Sequence, residues 1–303
     1  MTRNFLLTLT LALFASNANA DEGEKTPIRV LIIDGRNNHN WKDTTPFLKK
    51  QLEKTGRFTV TVSTTPPNGA PKSAWDEWKP DFSKCDVVLS NYNGEKWPAH
   101  VRSDFESFIK KGGGLVNVHA ANNAHRGWPE FEKMTGLLWR GNRDGWRVAL
   151  DTDKKKVRVA PGKGPGAGHG PQHSFEILVT EGKHPITQGM PMRWQHTKDE
   201  LYQGQRGPAE NMNLLMVAFA DKNKRGTGMF EPMLWWIPYG KGKAVTCVMG
   251  HVNRNDKTNM PAMRCVGFLT TVARSCEWAA TGKVTLPIPK NFPTADKASS
   301  IAK

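Results

Sequence analysis

The chain has 303 residues, 38% of them hydrophobic, and a formal net charge of +15. That length allows one large α/β domain or two small ones, either with a sizeable core, and the apolar content excludes a wholly disordered chain. The positive charges are scattered apart from the short runs Lys154–Lys156 and Lys222–Arg225, with no basic stripe interleaved with aromatics, so a solvated surface is expected and no nucleic-acid partner. An anionic glycan partner is the minority alternative.

Arg3, the apolar run Phe5 to Ala15 and Ala18-Asn19-Ala20 follow one another in the order of a secretory signal peptide over residues 1–20. The run is far shorter than the roughly 20 residues that span a bilayer. Cleavage before Asp21 and a periplasmic or secreted product are therefore expected, with +14 remaining once Arg3 is lost from +15. No cysteine follows the cleavage site, so no membrane anchor is expected.

Ile28 to Ile33 is a continuous apolar run closed by Asp34-Gly35, as in a strand buried on both faces of a parallel sheet. A helix capped by Asp43 follows to about Lys54, then strands at Phe58–Val62 and Val87–Leu89. Next comes a helix with Pro98 in its first turn and Val101, Phe105, Phe108 and Ile109 on one face, ended by Gly112-Gly113-Gly114. Those glycines precede a strand rather than follow one, so they are not a phosphate loop. Leu115 to Val118 is that strand, and it stops at His119. Ala160 to Gly170 reads as a surface loop. Further strands are expected at Ser174–Val179, Leu214–Ala220, Met233–Ile237 and Ala244–Met249, the last running into Gly250-His251, and a final helix at about Met260–Ala280. The Pro- and Lys-containing tail, residues 287–303, reads as disordered.

Alternating strands and helices of these lengths imply an α/β domain over residues 21–286 with a doubly wound, mainly parallel sheet. Ligands of such sheets bind at the carboxyl ends of the strands. That rule selects the loops Asp34–Trp41, Asn91–Trp97 and His119–Trp128, each rich in Asn, Gly, His and Trp. Four cysteines allow three disulfide pairings, but Cys265 and Cys276 within one helix would lie roughly 16 Å apart, beyond the reach of a disulfide. Cys85 and Cys247, beside or within apolar strands, read as small buried hydrophobes. No Cys-x-x-Cys spacing suggests zinc.

The segments VLIIDGRNNHNW, GGGLVNVHAANN, HPITQGMP followed by DELY, and YGKGKAVTCVMGH together resemble the trehalose-utilisation, or ThuA-like, family over about Ile28 to Trp278. The resemblance implies a flavodoxin-like fold similar to class I glutamine amidotransferases. Those enzymes carry a nucleophilic cysteine at the strand-to-helix turn where His119 stands, so the missing thiol argues against glutamine hydrolysis. The resemblance also implies that His119 and His251 face one cleft.

Two imidazoles at adjoining strand ends can hold a metal or move protons near neutral pH, and both jobs need a third group. The candidates are His39 and the acidic pair Asp199 and Glu200. His119, His251 and Glu200 are taken as catalytic, and His119, His251 and His39 as metal ligands for zinc, manganese or calcium. His184 reads as a turn residue, His196 is open between structure and function, and His100, His125, His169 and His173 have no spacing that argues for chemistry; His169 and His173 are expected to face solvent. Of 11 tryptophans, Trp41, Trp97, Trp128 and Trp139 fall in or near the strand-end loops, where aromatic faces can stack on sugar rings. Asn37, Asn38, His39, Trp41, Asn93, Trp97, Asn122 and Asp199 are accordingly taken as substrate-binding. The resemblance implies an enzyme of carbohydrate catabolism acting on a keto-disaccharide or glycoside by isomerisation, elimination or hydrolysis. The alternative is a noncatalytic sugar-binding or envelope scaffold protein.

Overall fold

The computed structural model describes residue 1 and residues 26–254, 256 and 259–302, so the signal-peptide reading lies outside the described residues. The first half alternates as the sequence demands. β1 (Ile28–Asp34) leads into α1 (Trp41–Glu53), followed by β2 (Phe58–Thr64), a short α2 (Lys72–Glu77), β3 (Val87–Ser90), α3 (Ala99–Lys110), β4 (Gly114–Val118) and α4 (Pro129–Thr135). The second half is strand-rich: β5 (Arg147–Leu150), β6 (Lys156–Val159), β7 (Gly168–His169), β8 (His173–Val179), β9 (Arg193–Asp199), β10 (Tyr202–Gln203), β11 (Asn213–Phe219), β12 (Phe230–Tyr239) and β13 (Gly242–Cys247). Two helices close the fold, α5 (Pro261–Arg264) and α6 (Val266–Thr281).

The main sheet runs β2-β1-β3-β4-β13-β12-β11-β8-β9. Every pairing from β2 to β13 is parallel. This is the 2-1-3-4-5 strand order of a flavodoxin-like sheet, with β13 in the fifth place. From β13 outward the pairings turn antiparallel, so a meander extends the parallel half. β1 shows why its sequence is uniformly apolar. Val30 and Ile32 enter one core cluster and Leu31 and Ile33 the other, because successive side chains point to opposite faces. Leu48 and Leu52 of α1 with Phe268 and Val272 of α6 cover the first face, and Phe105 of α3 with Phe131 of α4 the second.

Two expectations are corrected. The single helix expected over 260–280 is broken at Cys265, whose extended backbone pairs with Ser300. The tail from residue 287, expected to be disordered, is ordered through Ala302. Phe292 packs on Trp194 with ring centroids 5.5 Å apart, and the Gln195 N–H of edge strand β9 donates to the Thr294 carbonyl at 2.8 Å. The sheet edge offered unpaired backbone groups that the tail satisfies, a contact that tail composition does not reveal. The four cysteines are buried and unpaired.

Candidate metal centre

Three strand ends and the end of β9 converge on one cluster. After β1 the chain turns at Gly35, where φ is +106° and a Cβ would come within 2.4 Å of Thr65. The loop is then pinned by Asn37, whose Oδ1 accepts the His39 N–H at 3.0 Å and whose Nδ2 donates to the Asn91 carbonyl at 3.2 Å. His39 Nδ1 in turn faces the Val252 carbonyl at 3.1 Å. His119 follows β4 in the left-handed region, φ 48°, so its ring swings off the strand end, with Nδ1 2.8 Å from the Val248 carbonyl. His251 follows β13, and its Nε2 lies 3.1 Å from Glu200 Oε1.

Carbonyl oxygens only accept, so Nδ1 of His39 and of His119 must carry the proton and each Nε2 presents a lone pair. Both Nε2 atoms meet donors, the Asn38 amide at 3.0 Å and the Tyr202 hydroxyl at 3.1 Å. Ring centroids of His39 stand 4.6 Å from His119 and 4.7 Å from His251. One donor atom from each of His39, His119, His251 and Glu200 lies within 4.8 Å of all the others. Three imidazoles and a carboxylate form a donor set suited to a first-row divalent ion, with Nδ1–H of His39 and of His119 anchored on backbone carbonyls and His251 Nδ1 accepting from the Gln172 amide at 3.2 Å.

Burial opposes positive charge here. It lowers His39, drives His119 well below the usual histidine range, and with His39 nearby takes His251 to about 4. Burial likewise raises Glu200. The imidazoles are thus neutral near pH 7, the form that binds metal. His184, at about 4, and His125, at about 3, are lowered by burial elsewhere. All lie below the unfolded value near 6.5. The unfolded chain therefore binds more protons over the interval from about 6.5 down to about 4, and stability is lost as pH falls through it. The melting temperature of metal-free protein is expected to drop steeply across that window; a flat profile would contradict neutral, buried imidazoles.

Not every candidate residue reaches the cluster. Trp97 is 3% exposed and packs among Trp78, Tyr92 and Trp128, so it is core and not a sugar platform. Trp128 is equally buried. Asn122 is sealed beneath the loop with Nδ2 on Gln205 Oε1 at 2.5 Å. Asp199 is fully buried: it receives His196 Nε2 at 2.7 Å and the backbone N–H groups of Glu200, Gly250 and His251 at 2.7, 2.8 and 3.1 Å. It positions Glu200 and His251 and does not touch a ligand. His196 is accordingly structural. His169, expected merely to face solvent, is exposed but reaches Glu200 Oε1 at 3.4 Å. Asn38, Asn93 and Trp139 do line the chamber over the cluster, a cavity of 170 Å³ shared with Tyr202. The sequence pattern does not single out Tyr202. It stands two residues beyond Glu200 in extended chain, so the two side chains share a side.

Fold and cluster together define an α/β protein with a flavodoxin-like, glutamine amidotransferase-like fold and a histidine–carboxylate cluster at its strand ends. Residues 29–279 match the ThuA family, described as trehalose utilisation, and the chain belongs to that family. A crystal structure described as a ThuA-like protein from Parabacteroides merdae is 38% identical, with a TM-score of 0.85 over 91% of this chain and 98% of that one. Another from Bacteroides uniformis, 17% identical, shares the fold with a TM-score of 0.52 over 86% of this chain and 95% of that one. No curated protein matches the sequence.

Proposed function

We propose that this protein is an exported, metal-dependent enzyme that acts on a carbohydrate, with His39, His119 and His251 as the ligands and Glu200 as the base. The observation that carries this reading is the convergence of four donor atoms within 4.8 Å at the mouth of the sheet. Three protein ligands and an open position are the usual arrangement of a catalytic zinc-type site, and the nitrogen-rich set favours zinc over manganese and calcium, which prefer oxygen ligands. A bound divalent ion supplies Lewis acidity toward a sugar oxygen or a water.

The remaining work belongs to side chains. Glu200, kept basic enough by burial to hold a proton, accepts one from substrate or water, the step common to isomerisation, elimination and hydrolysis. The Tyr202 hydroxyl borders the chamber and can donate to a substrate oxygen. Trp139, with its ring centroid 4.4 Å from that of Tyr202, offers an aromatic wall to a sugar ring, and the amides of Asn38, Asn93 and Asn123 offer partners to its hydroxyls. None of the four cysteines lines this chamber among the described residues, which counts against thiol-based glutamine hydrolysis.

Elemental analysis of protein purified without added metal tests the proposal. About one zinc per chain is expected, together with a rise in melting temperature when metal is restored after chelation. Metal-free protein that binds sugar equally well would instead favour the noncatalytic sugar-binding alternative.

A further inference from the structure

The geometry points to an anionic saccharide as the ligand, with a carboxylate or phosphate on the unit distal from the histidine–glutamate centre held by Lys42 and Arg254. This rests on the carbohydrate reading of the site and narrows its substrate class. The chamber over the centre is only 170 Å³, below the roughly 300–1,000 Å³ of ordinary ligand sites. It is not closed on itself. A second chamber of 580 Å³ adjoins it, and Asn38 and Asn93 line both. The Asn93 amide donates to Asn38 Oδ1, so this pair stands where the two meet. A ligand reaching the centre from the larger chamber has at least two units, one on each side of the asparagines.

The outer chamber differs from the inner one in charge. Among the described residues no carboxylate lines it, whereas Arg36, Lys42 and Arg254 do. Arg36 is already engaged by Glu95 at 2.5 Å. Among the described residues no ion pair engages Lys42 or Arg254, so two positive charges are left for a ligand. Both are tied to the centre by short stretches of chain: Lys42 follows His39 by three residues, and Arg254 follows His251 by three. The Lys42 ammonium sits over the Trp41 ring, 5.8 Å from its centroid, which places a cation beside an aromatic face able to stack on a sugar. A neutral sugar leaves both charges in water. An anionic one gains two solvent-exposed ion pairs, together worth about tenfold in affinity, and loses that gain when salt screens them.

Calorimetric titration of the metal-replete full chain with matched neutral and anionic disaccharides tests this. The probes are trehalose against trehalose 6-phosphate, and cellobiose against its uronate-bearing counterpart. At low salt, the anionic member of at least one pair is expected to bind about tenfold more tightly than its neutral partner. The pair that shows it distinguishes phosphate from carboxylate. The preference should fade at high salt and vanish in the double variant K42Q/R254Q, whose affinity for the neutral sugar stays unchanged. Equal affinities within both pairs, or a preference that survives K42Q/R254Q, would overturn the inference and leave the carbohydrate reading standing. Failure of every sugar to bind protein of full metal content would overturn both.

Discussion

His119→Asn is expected to lose bound divalent metal and, with it, turnover, while the protein remains folded. Asparagine is chosen because residue 119 sits at φ 48°, a left-handed conformation that asparagine tolerates better than most residues. Removing the imbalance of backbone strain from the comparison isolates the ligand. Partners that merely orient a metal-bound histidine cost about 10- to 100-fold in affinity when lost, so loss of the ligand itself should cost more than about 100-fold. His119 is 4% exposed, and removal of its imidazole frees the Val248 carbonyl it now satisfies, so a stability loss of about 1–3 kcal/mol accompanies the change. Metal content after dialysis against a weak chelator, read beside the thermal unfolding curve, separates the two effects. Retention of one metal per chain in a folded His119→Asn protein would remove His119 from the centre.

His119 also illustrates how much of the site was legible. Its place at the end of a short buried strand, and the matching place of His251, follow from apolar runs that stop at a histidine. A parallel sheet then brings such ends together. Trp97, expected to bind substrate, and Trp128 sit in comparable loops and both turn inward, because a loop position does not say whether a large aromatic turns out over the cleft or in beneath it. In this fold α3 and α4 offer Phe105 and Phe131, and the tryptophans pack there. Asn122 turned inward in the same way, to Gln205.

The antiparallel half was less legible for a different reason. β9 buries Trp194, His196 and Asp199, and two of those three are polar, so its inward face does not register as hydrophobic. Its partner in burying that face includes the tail, whose Phe292 is the one aromatic residue in a stretch rich in prolines and lysines. Composition and periodicity therefore do not mark β9 as a strand, and they give the tail a disordered reading. The acidic pair that ends β9 is legible in the sequence, but its division of labour is not. Which carboxylate faces the ligand depends on strand alternation, which the sequence pattern of this segment does not reveal.

That division of labour carries the second large effect. Asp199→Ala should destabilise the fold by about 3–5 kcal/mol, the usual result of removing one partner of a buried ion pair, and lower the melting temperature by about 10 °C. Asp199 satisfies four donors with two oxygens, and three of them are the backbone N–H groups that set Glu200, Gly250 and His251. Gly250 has φ +108°, with Phe268 2.8 Å from where a Cβ would stand, so this turn has little freedom to find other partners. Burial opposes charge on His196, but Cys265 and Asp199 outweigh it and hold the imidazole up to about 10. Burial would likewise raise Asp199, yet the His196 partner keeps it below the usual carboxylate range. The sign of the pH dependence follows. The raised histidine stabilises fully below its unfolded value near 6.5 and stops doing so as pH climbs through about 10, whereas the lowered carboxylate stabilises above its unfolded value near 3.9 and stops as pH falls through its folded value. The gap in melting temperature between wild type and Asp199→Ala should therefore be widest between about pH 4 and 6.5 and narrow toward either extreme. Metal affinity should fall by about 10- to 100-fold in the same variant, since Glu200 and His251 lose their common anchor. A gap that does not vary with pH would mean that Asp199 acts by packing alone, and unchanged metal affinity would mean that the centre is organised without it.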